Sequence, residues 1–338
     1  MNRGRILFRA DASHEIGFGH IARVCALIEE TEAAGFEALA LFGGDASAIR
    51  SWARDRKLTV DVRDWNPSHV VRMSEDSRVK AVVIDGPEIA NQIIPKLPSR
   101  VRSVMIDDAC KSMLHASTVV NHNVHAPDQA AGYPRAEQRL LGRNYLMLRR
   151  DIRRYTRGSC RPFASARLRV LVTFGGSDPV GATVRVVSLL PPDRPLEIVI
   201  VAGPGYRDDA QLIAAMGIAE AHGHTVDLRR SPEDPGGLFV SADAAICSAG
   251  GTLGELAFLG CPALAYAIVA DQVTPARKQV REGLIAGGRR WSETTDDMLR
   301  SDMLAFMLDD NGRREQRQRA LATADADGAR RVVEAALG

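Results

Sequence analysis

Short apolar runs alternate with helix-periodic stretches along this chain, and each run closes on Gly or Asp. The first run, Arg5–Arg9, leads through the Gly-containing segment Asp11–Gly19 into a helix expected over about Ile21–Ala34. There Val24, Cys25, Leu27 and Ile28 share one helical face, and Gly35 is placed to end the helix. Further strands are expected at Ala38–Phe42, at Val79–Ile84 before Asp85-Gly86, and at Arg102–Ile106 before Asp107-Asp108. Between Arg149 and Arg167 the apolar period lapses into Arg, Gly, Ser and Pro. It then restarts: Arg169–Phe174 runs into Gly175-Gly176-Ser177-Asp178, with a helix from about Gly181. Leu196–Val201 opens on Gly203-Pro204-Gly205, Ala244–Cys247 on Ala249-Gly250-Gly251, and Ala263–Ala267 on Ala270-Asp271-Gln272. Strands alternating with helices argue for parallel βαβ units, so the expected class is α/β. The expected organisation is one domain over 1–155, a second over 166–320, and a segment 321–338 whose helix, about Ala326–Ala335, packs back on the first domain.

Composition narrows the class. A length of 338 residues suits about two domains at ~150 residues each. With a formal net charge of +2 there is no global electrostatic case for nucleic acid as a partner. Arg149, Arg150, Arg153, Arg154 and Arg157 do cluster, as a solvated segment between domains or as a surface that draws in phosphate-bearing ligands. Five cysteines with no C-x-x-C pair read as reduced thiols and not as a disulfide framework. The opening MNRGRILFRA lacks the long apolar core of a signal peptide. No run of ~18 apolar residues would span a bilayer. The expectation is a soluble, cytoplasmic protein without stable membrane association.

Three Gly-bearing loops sit where a strand hands over to a helix. In Ser248-Ala249-Gly250-Gly251-Thr252-Leu253-Gly254-Glu255, consecutive small residues let backbone N–H groups approach a ligand closely. The start of the following helix, expected over Glu255–Leu259, adds unpaired donors and a positive dipole end suited to phosphate. Glu255 is placed to bond a ribose diol, or else to serve as a first-turn helix charge. The loop Gly175-Gly176-Ser177 has the same context. The third loop, Gly17-Phe18-Gly19-His20, puts His20 at a helix N-terminus, where the dipole disfavours imidazolium; a neutral ring there is a candidate general base. His122 and His125 lie at helical spacing but in loop-like sequence without a third ligand, so no metal is expected, and His20 alone of the eight histidines has a chemical context. A P-loop, a G-x-S-x-G elbow and a dinucleotide fingerprint are all missing, and no cofactor is expected.

The blocks Arg9-Ala10-Asp11, Ile16-Gly17-Phe18-Gly19-His20, Phe174-Gly175-Gly176-Ser177-Asp178-Pro179, Ala249-Gly250, Glu255 and Leu259-Gly260-Cys261-Pro262 occur in that order. Together they resemble the UDP-sugar hydrolases of pseudaminic acid biosynthesis, which act on UDP-2,4-diacetamido-2,4,6-trideoxy-β-L-altropyranose. Leu140–Tyr145 and Asp327–Val332 are similar to family segments too, so the resemblance runs over nearly the whole chain. That family is related to the peptidoglycan N-acetylglucosaminyltransferase. The resemblance implies a GT-B architecture, two Rossmann-like domains whose parallel sheets face a central cleft. It also implies that His20 is the catalytic base and that the second domain holds UDP. Gly250, Gly251 and Thr252 would then contact the diphosphate and Glu255 the ribose; Gln272 would line the nucleotide pocket, and Leu228-Arg229 would pass near the uracil. The chain departs from the family at Asp85-Gly86-Pro87, where Asp-His-Tyr is usual, and at Gly251 and Gly254, which stand for Ser and Trp. The first departure touches the region that faces the sugar.

The resulting expectation is hydrolysis of a UDP-sugar at the anomeric carbon, releasing UDP and free sugar with inversion. The helix-terminus donors would stabilise departing UDP, and His20 would activate water. A GT-B glycosyltransferase, in which His20 deprotonates a sugar or lipid hydroxyl, is the alternative. A non-catalytic nucleotide-sugar sensor is a third class, against which His20 argues.

Overall fold

The computed structural model describes residues 4–55, 60–63, 65–160, 167–192, 194–323 and 325–338; residues 161–166, where the second domain was expected to begin, lie outside this set. The chain divides into two compact units, Met1–Arg150 with Asp325–Gly338, and Asp151–Ala324.

In chain order the first unit contains β1 (Arg5–Ala12), α1 (Gly19–Ala33), β2 (Glu37–Gly44), α2 (Ala46–Asp55), β3 (Val60–Val62), α3 (Pro67–Ser74), β4 (Val79–Asp85), α4 (Pro87–Ile93), β5 (Arg102–Ile106), β6 (Thr118–Asn121) and β7 (Gln138–Leu141). The short α5 (Arg150–Arg153) follows. The second unit continues with β8 (Arg169–Thr173), α6 (Ala182–Ser188), β9 (Glu197–Ala202), α7 (Asp209–Ala221), β10 (Thr225–Arg230), α8 (Pro235–Val240), β11 (Ala244–Ser248), α9 (Thr252–Leu259), β12 (Ala263–Ala267), α10 (Val273–Arg281), β13 (Ala286–Arg290), α11 (Asp296–Leu308) and α12 (Asp310–Thr323). The last helix, α13 (Gly328–Leu337), belongs to the first unit.

Strand order is β3-β2-β1-β4-β5-β6-β7 in the first sheet and β10-β9-β8-β11-β12-β13 in the second. Every neighbouring pair is parallel. Parallel strands are covered on both faces, which is why β1 is buried along nearly its whole length. Its alternate residues feed two cores: Ile6, Phe8, Ala10 and Ala12 pack with α1, whereas Leu7 packs with Trp65 and Val70 on the other face. Both sheets are doubly wound and α/β, as the alternation of strand and helix patterns implies.

The strand order reverses between β1 and β4 in one sheet and between β8 and β11 in the other. In such sheets the loops at the carboxyl ends of the two strands flanking a reversal run to opposite faces and leave a crevice between them. His20 and Asp85 flank the first reversal; Gly175-Gly176 and Ala249-Gly250-Gly251 flank the second. Topology therefore places the strongest sequence signals at the two positions where an open sheet can hold a ligand.

Helix α13 closes the first core. Ala329, Val332, Val333 and Ala336 are buried among the residues of α1 and β1. Arg331 Nη1 donates to Asn144 O at 2.7 Å, so the segments around Asn144 and Asp327 meet in space. A Cβ on Gly328 would lie 2.1 Å from Leu146 O and 2.5 Å from Leu146 N, so only glycine lets this helix begin where it does. Gly328→Val is expected to destabilise the first unit by about 1–3 kcal/mol, the usual cost of forcing extra atoms into a packed site. A urea midpoint unchanged from wild type would show that the backbone yields there.

Candidate active site

His20 occupies the first turn of α1, which packs against β1 through Ile21, Val24, Cys25 and Ile28. The imidazole therefore stands at the carboxyl end of the sheet. Its Nδ1 lies 2.8 Å from Asp85 Oδ1, at the end of neighbouring β4. Asp85 is completely buried at its side chain, whereas the His20 ring is 31% exposed. Arg23, one turn along α1, grips Asp85 with two parallel bonds, Nε to Oδ2 and Nη2 to Oδ1, each 2.5 Å. Its remaining arm, Nη1, donates to Asp108 Oδ2 at 2.7 Å. Asp108 follows β5 and accepts a further bond from Asn123 Nδ2 at 2.9 Å. One guanidinium thus ties together the ends of β4 and β5 through two carboxylates.

The electrostatics follow from this set. Burial, the largest influence, would raise the pKa of Asp85 and Asp108, but the charge and hydrogen bonds of Arg23, together with the neighbouring histidines, more than offset it and hold both carboxyls below their usual range. Arg23 is in turn held charged: burial disfavours the cation, and the two carboxylates more than compensate. For His20, burial pushes the pKa down, Asp85 pulls it up, Arg23 pushes it down, and the hydrogen bond to Asp85 with the field of Asp108 leaves a net rise above 6.5. This corrects the expectation that the helix terminus would depress the ring's pKa. A full carboxylate charge in contact outweighs the roughly half charge of a helix dipole. His20 Nδ1 faces both the Asp85 carboxylate, at 2.8 Å, and the Arg23 Nη2 donor, at 3.0 Å; with the Nδ1 proton given to Asp85, the Nε2 lone pair is the basic position.

His122, which sequence reasoning set aside, stands beside this network. It follows β6 at the same sheet edge, and burial pushes its pKa down to about 4 against the pull of Asp108. Its neighbour in the His-x-x-His spacing does something else: His125 is buried with Nε2 3.7 Å from Cys110 Sγ. Asp85 was legible as a strand end but not as the partner of His20. The Asp85-Gly86-Pro87 departure is also a backbone device, because Gly86 stands at φ +127° and Pro87 opens α4. Gly17, at φ +82°, turns the preceding loop and donates its N–H to Ser13 O at 2.8 Å. Gly19 begins α1, with open space where a side chain would be.

In the second unit the loops at the reversal are built from small residues. Gly175 takes φ +85°, and Gly176 packs so closely under Gly203 that a Cβ on Gly203 would lie 2.4 Å from its Cα. Ser177 is buried, and buried Asp178 accepts the N–H groups of Ala182 at 2.9 Å and Thr183 at 2.7 Å, capping α6. Across the reversal Ala249 is buried and Gly251 is the N-cap of α9. The helix starts at Thr252, three residues earlier than expected, so Glu255 lies inside its first turn. The N-cap Gly251 has no side chain to cap the helix, and Leu253 N and Gly254 N donate to Gly250 O and Gly251 O at 3.1 and 3.0 Å, so the N–H groups left to face a ligand are those of Gly250, Gly251 and Thr252.

Gln272 lies just before α10. Its Oε1 accepts from Ile268 N at 3.0 Å, and its Nε2 would lie 3.1 Å from a Cβ on Gly250. It therefore bridges the loops after β11 and β12. Leu228 and Arg229 lie on β10, the edge strand, where Leu228 packs against the core and Arg229 Nε donates to Asp227 Oδ2 at 2.9 Å. These two stand at the sheet edge, away from the β8–β11 reversal that carries the glycine loops.

No protein-family model matches the chain. Over 266 residues it is 24% identical to an uncharacterized protein of Methanocaldococcus jannaschii, a match over 76% of this chain and 54% of that protein. The chain thus spans about half the length of that relative. Among solved structures it is similar to MurG of Acinetobacter baumannii, with a TM-score of 0.66 and 17% identity over 98% of each chain. A putative UDP-N-acetylglucosamine 2-epimerase of Listeria monocytogenes gives 0.64 and 12% over 98% of this chain and 95% of that one. A UDP-N-acetylglucosamine 2-epimerase of Neisseria meningitidis, solved with UDP-N-acetylglucosamine bound, gives 0.60 and 11% over 98% of each. At these identities the likeness is one of fold, and that fold is GT-B.

The charge balance at His20 makes a testable statement that needs no substrate. A ring-proton NMR titration of the full chain should give His20 a pKa above the ordinary 6.5. Asp85→Asn should lower it, because the attraction goes while burial and the Arg23 charge remain. A His20 titration that does not move in this variant would remove Asp85 from the account.

Proposed function

We propose that this protein hydrolyses a UDP-sugar at its anomeric carbon, releasing UDP and free sugar with inversion. The substrate class is a UDP-2,4-diacetamido-2,4,6-trideoxy-hexose or a close analogue, used in nonulosonic acid or related glycan synthesis. The observation that carries the reading is the buried Asp85 carboxylate holding Nδ1 of a part-exposed His20 at 2.8 Å, at the reversal point of the first sheet. A carboxylate in that place serves a ring that must take up a proton at Nε2 and be stabilised once charged. A protein that only bound nucleotide-sugars would have no use for it.

In this reading Nε2 takes a proton from water as the water oxygen forms a bond to the anomeric carbon. The bond from that carbon to the UDP oxygen breaks, and its electron pair leaves with UDP. Imidazolium and Asp85 then form an ion pair. Backbone N–H groups at Gly250, Gly251 and Thr252 meet the charge developing on the diphosphate, and those of Gly175, Gly176 and Ser177 supplement them. Glu255 bonds the ribose. The fold's company supports a nucleotide-sugar, since the two 2-epimerases described above are named for UDP-N-acetylglucosamine. A transferase would use the same base on an alcohol, so the acceptor decides between the two.

The test is UDP release from UDP-sugars with no acceptor present, run in ¹⁸O-water. Label is expected in the anomeric hydroxyl of the free sugar. Label in UDP would mean phosphorus–oxygen cleavage, and release that needs an added glycan or lipid would mean a transferase; either outcome overturns hydrolysis at carbon. His20→Asn should lower turnover by about 10²–10⁴, the range for loss of a general base. Because the neutral ring is the active form, kcat/KM should climb with pH through an inflection above 6.5.

Glu255→Ala should weaken UDP binding more than it weakens binding of 2′,3′-dideoxy-UDP, as read by calorimetry. Equal losses for the two ligands would make Glu255 a helix-start charge without a ribose to hold.

A further inference from the structure

His122 is fixed in place by its neighbours and not by its own ring. Asn121 Oδ1 accepts the N–H of Asn123 at 3.0 Å. Asn121 Nδ2 reaches Cys110 Sγ at 3.1 Å and Tyr133 Oη at 3.2 Å, and Asn121 O accepts the N–H of Gly142 at 2.8 Å. On the other side Asn123 Nδ2 donates to Asp108 Oδ1 at 2.9 Å. The backbone at 122 is therefore clamped between two ordered side chains. The ring it carries has a buried Nδ1 with no hydrogen-bond partner. A buried unpaired nitrogen costs stability, and natural structures keep such a group chiefly where something else will pair with it.

The surroundings narrow what that partner can be. Asp108, Arg23, Asp85 and His20 all act electrostatically on His122, so the ring shares the site of the proposed base. Burial keeps it neutral at working pH, with its pKa down at about 4, so it offers no charge to a diphosphate and cannot serve as a proton donor of ordinary strength. Asp108 is already engaged by Arg23 and Asn123. A neutral imidazole carries one N–H and one lone pair, which matches groups that both donate and accept weakly. In a nucleotide-sugar such groups are on the sugar, the ribose and the uracil, and the reading above assigns the nucleotide to the second unit, which leaves the sugar for His122. We infer that His122 is a specificity-determining residue that contacts the sugar moiety through Nδ1, hydrogen-bonding a hydroxyl or an acetamido group. This rests on the nucleotide-sugar reading above but not on hydrolysis.

The experiment is calorimetry of the full chain with UDP-N-acetylglucosamine and, separately, with UDP, for wild type, His122→Phe and His122→Gln. Wild type is expected to bind the sugar nucleotide more tightly than UDP. His122→Phe should cut that preference by about fivefold to tenfold, the worth of one hydrogen bond, while the Kd for UDP stays within about twofold. His122→Gln, which can still donate and accept, should retain most of the preference. The His20 ring resonance, read in each variant, reports that the first unit is folded. Wild type with no preference for the sugar, a preference unchanged in His122→Phe, or a parallel loss of UDP affinity overturns the assignment. Acceptor-free UDP release measured on the same wild-type sample decides hydrolysis separately, so the two can fail independently.

Discussion

Arg23 sits where three strands end, and its five N–H donors are what allow two carboxylates and an imidazole to share that space. A planar guanidinium can hold Asp85 with one edge and reach Asp108 with the other arm, which a lysine ammonium could not do with the same geometry. Without the cation, two carboxylates of which one is fully buried would take up protons, and Asp85 could no longer act as an anion on His20. Removing one partner from such a buried set typically costs about 3–5 kcal/mol, because the others are left uncompensated. The carboxyls are depressed in the folded state, so their contribution is present at neutral pH and is lost as pH falls through their folded values. His20 runs the opposite way: its stabilisation is present at low pH and fades as pH rises through its raised pKa.

The two units apply one sheet topology to different chemistry. At the reversal of the first sheet, the loops carry charged and titratable side chains on ordered strand ends. At the reversal of the second, the loops are built mostly of small residues, and close backbone packing such as Gly176 against Gly203 leaves main chain, not long side chains, at the strand ends. Side chains suit proton movement, where pKa can be set by neighbours. Backbone donors suit phosphate, where many oxygens must be met at short range by groups that do not titrate.

What could be read from the chain itself was whatever is local. Strands such as Arg102–Ile106 and Ala263–Ala267 announce themselves by apolar runs, and the glycine loops by composition. The strands at Thr118–Asn121 and Thr225–Arg230 are short or carry charges on an edge, so no apolar run marks them. His20 was legible because Gly17 and Gly19 precede it, but its pKa was not. The sign of that shift is set by Asp85, 65 positions away in sequence and joined only by the pairing of β1 with β4. His122 was hidden for the same reason, since the residue that gives it chemical company, Asp108, belongs to another strand end.

Helix α13 has a consequence for how the chain reaches its native state. The first unit is discontinuous: about 150 residues open it, the whole second unit intervenes, and residues from Asp325 onward complete it. During synthesis the Arg5–Leu141 sheet will have left the ribosome long before Val332 and Val333 can cover their side of α1. The nascent first unit must wait with an apolar stripe bare, while the second unit, continuous in sequence, can close as soon as α12 emerges. The unit made first is thus finished last, and the exposed face of α1 is where a holding chaperone, or a mispaired second chain, would find its opening.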